Sequence, residues 1–289
     1  MPIIEPAIRP PAEADSFLLQ LTTGCSSNQC TFCGAYKGKP FRIKEEAEII
    51  QDIEVGVHYD PAQRRVFLMD GDALVIPNQR LIPILKKLNN AFPRLTRIAS
   101  YANGYNIGRR SMEELAELAT HKLKLIYIGL ESGNQQILED CRKGSSVSEM
   151  IEAAEKAASA GIKISVMVLL GLGGQKNSVA HVQDTIRALN RIQPRYLSFL
   201  SLMLIPGTPL YRSAQKGDFK ELNPSELLIE ERSIIAGLTM NGTVFRSDHA
   251  SNYLALEGRL PADKTKLLTI IDAAISGHGH LKPERCREL

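Results

Sequence analysis

Residues 25–33 have the sequence CSSNQCTFC, in a polar loop that directly follows an apolar run at 17–22. Thiolates are the usual protein ligands of iron–sulfur clusters. Three thiolates this close together can hold three irons of a cubane and leave the fourth iron open to a substrate or cofactor. The loop therefore predicts one cluster held by Cys25, Cys30 and Cys33.

Two other uses of these thiols explain the loop less well. A structural zinc site normally needs four protein ligands. The remaining cysteines, Cys141 and Cys286, are far away in sequence, and no histidine lies near the loop. A thioredoxin-like redox pair would sit at the start of a helix and would leave Cys25 unexplained. We therefore favour the cluster over both.

The composition fits a single enzyme-sized α/β domain. The chain has 289 residues, of which 44% are hydrophobic, enough for one barrel with a large core. The net charge of +3 comes without a long basic cluster, so nucleic acid is not the expected partner. The N-terminus lacks the apolar core of a signal peptide, and no window has the ~18 apolar residues that span a bilayer. We expect a cytoplasmic protein with no membrane partner, whose cysteines are ligands or free thiols.

Apolar runs of strand length alternate with stretches of helix length. The predicted strands are residues 17–22, 65–69, 96–101, 123–130, 162–170 and 196–204. The predicted helices include residues 44–57, 81–91, 111–119, 147–160, 179–192 and 224–237. This alternation predicts a parallel sheet with right-handed crossovers, and the continuous apolar strands indicate that both faces of the sheet are covered.

The predicted fold class is α/β, a partial (β/α)6 barrel of the TIM type with a short C-terminal capping segment, because six units are too few for a closed eightfold barrel. We assign residues 1–15 to an N-terminal tail, 16–240 to the barrel and 241–289 to the capping segment and a tail. From 277 onward the tail is expected to be disordered. The active site of such a barrel lies at the C-terminal ends of its strands.

The cysteine loop resembles the signature of the radical S-adenosylmethionine (SAM) superfamily, CxxxCxΦC with Φ an aromatic residue. Phe32 occupies the aromatic position, whereas four residues rather than three separate Cys25 from Cys30. Motifs over residues 17–212 are similar to those of the coproporphyrinogen-oxidase-like, methylthiotransferase-like and Elp3-like groups. The resemblance implies two cofactors, a [4Fe–4S] cluster and SAM, with Phe32 among the cofactor-binding residues.

Two strand ends are similar to motifs that bind the methionine part and the polar groups of SAM. MDGDAL at 69–74 resembles the GGEP-type motif, which implies that Asp70, Gly71 and Asp72 lie around the methionine amino group. SYANG at 100–104 resembles a TNG segment, which implies that Asn103 contacts polar groups of SAM. From the residues alone, both segments are also typical of plain turns between a strand and a helix.

The later strand ends carry three more similar motifs. GLESG at 129–133 implies that Glu131 and Ser132 bind SAM. Glu131 follows an apolar run, so its carboxylate needs a ribose hydroxyl or a cation such as Lys143; a carboxylate at a helix N-terminus is the plainer interpretation. LGLGG at 170–174 implies that Gly171 lies against the adenine. PGTPL at 206–210 predicts a rigid turn at the strand mouth.

By this resemblance, the protein reductively cleaves SAM at the cluster to give methionine and a 5′-deoxyadenosyl radical, which abstracts hydrogen from a substrate that the motifs do not identify. Cys25, Cys30 and Cys33 are then the catalytic and the metal-binding residues of an oxidoreductase- or transferase-type enzyme. The implied partners are a one-electron donor of the flavodoxin or ferredoxin type and a small-molecule substrate. The alternative is a non-catalytic cofactor-binding protein on the same scaffold, similar to the haem chaperones.

A polar run at 245–253 is the candidate for substrate binding. Arg246, Asp248, His249 and Asn252 suit an anionic or hydroxylated substrate, because arginine pairs with carboxylates or phosphates and histidine transfers protons. A surface loop that closes the barrel explains the same residues. Cys141 is interpreted as a plain partly buried thiol in preference to a hydrogen donor that quenches a radical.

Overall fold

The computed structural model describes residues 3–5 and 8–288 of the chain. The chain divides into two compact units. The first contains the residues up to Gln29 together with Ala35–Ile128 and Glu152–Ile164. The second contains Cys30–Gly34, Gly129–Ile151 and the residues from Ser165 onward.

Ten strands and ten α-helices are present in the described part of the chain. The strands are β1 (Phe17–Gln20), β2 (Thr22–Thr23), β3 (Arg42–Ile43), β4 (Arg65–Met69), β5 (Arg97–Tyr101), β6 (Leu123–Glu131), β7 (Lys163–Leu170), β8 (Tyr196–Ser201), β9 (Thr243–Arg246) and β10 (Glu257–Leu260). The helices are α1 (Glu46–Tyr59), α2 (Asn78–Ala91), α3 (Gly104–Gly108), α4 (Met112–Thr120), α5 (Gln135–Asp140), α6 (Val147–Ser159), α7 (Gly174–Ile192), α8 (Pro209–Gln215), α9 (Pro224–Gly237) and α10 (Lys264–Ile275).

The sheet of the first unit contains parallel strands in the order β1-β4-β5-β6. The pairing aligns Leu19 with Leu68, and Leu68 with Ser100. Val66, Phe67 and Leu68 are consecutive and fully buried, which is the pattern of a strand covered on both faces. Because the strands are parallel, the segments that follow β1, β4 and β5 leave the same edge of the sheet.

In the second unit β7, β8 and β9 are parallel, and β10 pairs with β9 in the antiparallel direction. Helix α9 packs against both α7 and α10. The residues after 241 thus supply two strands and a helix, and Arg246 of β9 pairs with Ser198 of β8. None of the described helices is long and apolar enough to span a membrane.

The predicted α/β class with a mostly parallel sheet is confirmed, and the six predicted strands correspond to β1, β4, β5, β6, β7 and β8. Helix α7 begins at Gly174 rather than 179, because polar residues form its first turn and the apolar periodicity starts only at Val179. Helices α3, α5 and α8 were missed, since segments of five to seven residues are too short to show a helical period.

The end of the chain is docked on the second unit, so the prediction of a disordered tail is wrong for the described residues. Arg287 is buried and donates hydrogen bonds to the carbonyls of Leu202 (3.0 Å) and Ser251 (2.6 Å). The Lys282 N–H donates to the Tyr253 carbonyl at 2.8 Å. Sequence patterns miss such docking because it depends on single side chains rather than on periodicity.

Candidate active site

In the first unit, the segment that carries Cys25 is held against the turn after β4. The Gly24 N–H donates to Asp70 Oδ2 at 3.0 Å, and the Gly71 N–H donates to the Gly24 carbonyl at 3.1 Å. A Cβ atom on Gly71 would lie 2.7 Å from Cys25 Cα and 2.8 Å from its Sγ. Only a residue without a side chain allows the turn to come this close to the thiol.

Asp70 is fully buried, and its two carboxylate oxygens differ in their surroundings. Oδ2 accepts hydrogen bonds from Gln20 Nε2 (3.2 Å), Lys39 Nζ (3.1 Å) and the Gly24 N–H. Oδ1 has no hydrogen-bond partner among the described residues. Burial raises the pKa of Asp70, and the ion pair with Lys39 opposes that shift. The turn thus contains a buried acceptor that can take one more donor.

Asp72, by contrast, is used to join two turns of the first unit. Its carboxylate accepts hydrogen bonds from the Leu74 N–H (2.9 Å), the Asn103 N–H (3.2 Å) and Asn106 Nδ2 (2.7 Å). Burial raises the pKa of Asp72 to about 6. The Asn103 side chain caps α3 by accepting from the Asn106 N–H at 2.8 Å. Asp72 and Asn103 therefore fix the turn after β4 to the turn after β5.

Arg110 supports the same two turns and was missed by the sequence analysis. Its guanidinium is buried and donates to the carbonyls of Leu74 (2.6 Å), Ile76 (2.7 Å) and Asn106 (2.8 Å). The sequence showed two adjacent arginines, which are more often solvated. No periodic signal distinguishes the buried Arg110 from the exposed Arg109 next to it.

In the second unit, Cys30 and Cys33 lie in a tight turn that is anchored on both sides. The Cys33 N–H donates to the Cys30 carbonyl at 3.3 Å. The Thr31 N–H donates to the Cys141 carbonyl (2.9 Å), and the Leu210 N–H donates to the Thr31 carbonyl (3.0 Å). Leu210 belongs to the PGTPL motif, so one function of that motif is to hold the cysteine turn.

Phe32, which lies between these cysteines, has apolar surroundings. Phe32 packs against a core cluster that includes Cys141 and Leu210. Burial raises the pKa of the Cys141 thiol to about 12, so the thiol stays protonated. Cys141 is thus more deeply buried than the partly buried thiol that the sequence suggested, and Phe32 anchors the turn.

Glu131 is paired with Lys143, the cation suggested by the sequence. Lys143 Nζ lies 2.9 Å from Glu131 Oε1, and each side chain is 17% exposed. A Cβ atom on Gly129 would overlap the Glu131 carboxylate. The glycine of the GLESG motif therefore makes room for this ion pair.

Ser132 and Gly171 are held from below by polar side chains of α7 and α9. Ser132 Oγ lies 2.8 Å from His181 Nδ1, and the Gly171 N–H donates to Glu230 Oε1 at 2.6 Å. Gly171 has φ of 80°, a left-handed conformation that favours glycine. His181 and Glu230 could not be predicted as buried, because the patterns of α7 and α9 indicate helices without showing which of their polar residues are buried.

The candidate substrate residues fall into two groups. Arg246 and Asp248 are exposed and form an ion pair at 3.5 Å. His249 is half-buried with its Nδ1 2.8 Å from Ser251 Oγ, and burial lowers its pKa. The Asn252 amide is buried and bonded to Ser201, Phe199 and Ser247. The first three lie where a ligand can reach them, whereas Asn252 holds the loop in place.

Within residues 3–5 and 8–288, no three histidine, cysteine or acidic side chains are already arranged as a metal site. Joint ligation by Cys25, Cys30 and Cys33 therefore stays a prediction. What the structure adds is the local support of each cysteine within its own unit.

The chain belongs to the radical SAM superfamily, whose family model matches residues 19–189. An uncharacterised protein of Methanocaldococcus jannaschii is 26% identical over 169 residues, which are 56% of this chain and 48% of that protein. The haem chaperone HemW of Bacillus subtilis is 22% identical over 176 residues, 61% of this chain and 46% of that protein.

Coproporphyrinogen III oxidase from Escherichia coli, a radical SAM enzyme, shares the fold. Its structure aligns with a TM-score of 0.56 at 13% identity and covers 76% of this chain and 51% of that chain. The matched regions span about half the length of each of these proteins.

Proposed function

We propose that the protein is a radical SAM enzyme that binds one [4Fe–4S] cluster through Cys25, Cys30 and Cys33 and binds SAM beside it. A bound cluster, once reduced by an external one-electron donor, would supply the electron for the reductive cleavage of SAM and so the hydrogen-abstraction chemistry of the family. The observation that carries the proposal is the fit of Gly71 against Cys25, because it brings the GGEP-like turn directly against one of the three thiols of the cysteine signature.

The residues of the first unit fit the methionine end of SAM. Three thiols are the donor set that a cluster with one open iron needs. Asp70 Oδ1 is a buried acceptor without a partner among the described residues. An ammonium group bound there would satisfy it, and a buried acceptor left alone is unfavourable. Asp72 has no such role in this proposal, because its carboxylate is occupied by main-chain and side-chain donors.

Residues of the second unit are assigned to the adenosyl end. Glu131 and Ser132 suit ribose hydroxyls, and the Gly171 turn suits the face of the adenine. The Glu131 carboxylate pairs with Lys143 through Oε1 and can also accept a hydrogen bond from a hydroxyl. Phe32 holds the cysteine turn and excludes water from it.

The substrate is proposed to be a small molecule that approaches Arg246, Asp248 and His249. A one-electron carrier of the flavodoxin or ferredoxin type would supply the electron, in the cytoplasm. The second candidate function is cofactor binding without turnover. The observation in its favour is the similarity to the haem chaperone of Bacillus subtilis.

The test is cleavage of SAM by the reconstituted protein. The protein is loaded with iron and sulfide without oxygen, reduced with dithionite and given SAM, and 5′-deoxyadenosine is quantified by mass spectrometry. We expect deoxyadenosine from the wild type and none from Cys30→Ala. A wild type that holds the cluster but never cleaves SAM would contradict the proposal, and tight binding in a haem titration would then favour the second candidate.

A further inference from the structure

A buried polar network lies beneath the two turns assigned to the adenosyl part of SAM. His181 on α7 contacts Ser132, with 2.8 Å between Nδ1 and Oγ. Glu230 on α9 accepts from the Gly171 N–H at 2.6 Å. His181 Nε2 lies 3.6 Å from that same Glu230 oxygen. Ser132 and His181 are fully buried, and Glu230 is 2% exposed. The Ser132–His181 and Gly171–Glu230 hydrogen bonds therefore meet at a 3.6 Å contact between His181 and Glu230, and together they link one turn to the other.

One face of α7 supports both turns. Ser178, His181 and Thr185 are three and four residues apart, so they lie on the same side of the helix. The Ser178 hydroxyl donates to Glu230 Oε2. Thr185 Oγ1 accepts from the Gly133 N–H at 2.9 Å. The face thus holds the GLESG turn directly and the Gly171 turn through Glu230.

Burial shifts both titratable groups of this network towards their neutral forms. It lowers the pKa of His181 to about 4, so the imidazole is neutral, and it raises the pKa of Glu230 to about 7. Ser132 Oγ also accepts from the Asn134 N–H at 3.0 Å. Either tautomer of His181 can join it to Glu230, because a protonated Nε2 can donate to the carboxylate and a bare Nε2 can accept from the carboxylic acid. Nε2 has no hydrogen-bond partner among the described residues, so a small movement of Glu230 towards it is favourable.

We propose that His181 and Glu230 are positioning residues that hold the Ser132–Asn134 turn and the Gly171 turn in one arrangement and so set the affinity for the adenosyl part of SAM. The inference rests on the proposed function and deepens it. Neither residue is assigned a contact with SAM. His181 acts through the Ser132 hydroxyl, and Glu230 acts through the Gly171 main chain.

The first experiment separates the two halves of SAM on the reconstituted protein. 5′-Methylthioadenosine carries the adenosyl half, and methionine carries the half that binds at the cluster. Glu230→Ala should weaken the binding of methylthioadenosine by about tenfold, because it leaves the buried Gly171 N–H without its acceptor. Methionine binding, followed by the change in the cluster's electron paramagnetic resonance spectrum, should stay unchanged.

Two variants show whether the effect is specific. Glu230→Gln keeps an acceptor for the Gly171 N–H and should restore most of the affinity. Glu231→Ala removes an equally buried glutamate from the same helix, one that is bonded to Ser247 instead, and should leave both affinities unchanged. Equal weakening of both halves in both alanine variants would overturn the proposal, since it would indicate a general loss of structure.

Hydrogen–deuterium exchange tests whether the two turns are coupled, and it needs no cofactor. The variant measured is His181→Asn, which also serves if Glu230→Ala does not fold. His181 contacts only the Ser132 side of the network by a hydrogen bond. The variant should nevertheless speed exchange in peptides that contain 171–174 as well as those that contain 132–134. Faster exchange at 132–134 alone would refute the coupling. A wild type that binds neither methylthioadenosine nor SAM would contradict the proposed function itself.

Discussion

At the scale of single residues, Gly71 shows how a motif glycine can be required by a neighbour. Its own backbone is not left-handed; the residue with positive φ in this turn is Asp70, at 67°. The constraint comes from Cys25, whose Cα, Cβ and Sγ occupy the space that a side chain on Gly71 would need. The glycine is therefore required so that the turn after β4 can pack closely against the cysteine loop.

Gly71→Ala should consequently damage the cysteine loop. The added methyl group forces the turn or Cys25 to move, and overpacking of this kind costs about 1–3 kcal/mol. We expect less iron and sulfide per chain after reconstitution, measured by colorimetric assay. Gly108→Ala is the matched control, because nothing lies within 4 Å of its Cβ position. Normal iron content in Gly71→Ala would show that the thiol has room to move.

Lys143 and Glu131 allow a second test at this scale. Removing one partner of this partly buried ion pair leaves the other charge without compensation. Lys143→Met should lower the free energy of unfolding by about 1–3 kcal/mol, since the pair is only 17% exposed on each side. Arg42→Met breaks the Arg42–Glu48 pair, whose side chains are 45% and 39% exposed, and should cost less than about 1 kcal/mol. If Lys143→Met and Arg42→Met lower the free energy of unfolding in urea by similar amounts, the Glu131–Lys143 pair is solvated.

At the scale of elements, α9 combines a correct prediction with a missed one. Its limits, Pro224–Gly237, are those that the sequence indicates, because proline begins it and a capping box fixes its first turn. The burial of Glu230 and Glu231 was not predicted. Two adjacent glutamates in a helix are normally solvated. Here α9 packs against α7 and α10, Glu230 contacts the Gly171 turn, and Glu231 contacts Ser247.

The buried Glu231 makes the stability depend on pH. Burial raises the pKa of Glu231 to about 7. Between its ordinary value of 4.5 and about 7, the unfolded chain releases this proton while the folded chain keeps it. The free energy of unfolding therefore falls as the pH rises through this window, and the contribution of the protonated group is fully present only below it.

Glu231→Gln removes that titration. The free energy of unfolding of the variant minus that of the wild type should increase by on the order of 2–3 kcal/mol from about pH 5 to about pH 8. This amount follows from the raised pKa of Glu231. Urea unfolding at both values measures it. Glu230 and His181 remain in both proteins, so their contributions cancel. The exposed Glu152→Gln is the control. If the free energies of unfolding of Glu231→Gln and wild type differ by the same amount at both pH values, Glu231 is ionised in the folded chain.

At the scale of the whole molecule, periodicity and short motifs predict the secondary-structure elements and the ends of the strands where the site lies. The parallel strands and the positions of the SAM-type motifs at their ends follow from apolar runs and turn residues. Arg110, His181 and Glu230 could not be predicted, because each is buried by segments far away in sequence. The polar residues that support a site are specified by tertiary packing, which a local pattern does not contain.

The same reasoning applies to the end of the chain. Arg287 lies over the Tyr253 ring, 4.2 Å from the ring centroid to its guanidinium carbon, and bonds to two carbonyls of the second unit. Arg287→Ala leaves those carbonyls without their donor, and should cost about 1–3 kcal/mol and release the segment after Lys282. Digestion with a glutamyl endopeptidase followed by intact mass should show faster cleavage after Glu284.

The controls for this prediction depend on the shape of the guanidinium group. Arg287→Lys keeps the charge but loses the planar fork, so it should restore only part of the protection. Arg285→Ala, one residue earlier in an exposed position, should digest like the wild type. If Arg285→Ala and Arg287→Ala are cleaved at the same rate, general loss of positive charge explains the effect. If only Arg287→Ala is cleaved faster, a single side chain holds the end of the chain on the second unit, where β8 ends at the residue before Leu202.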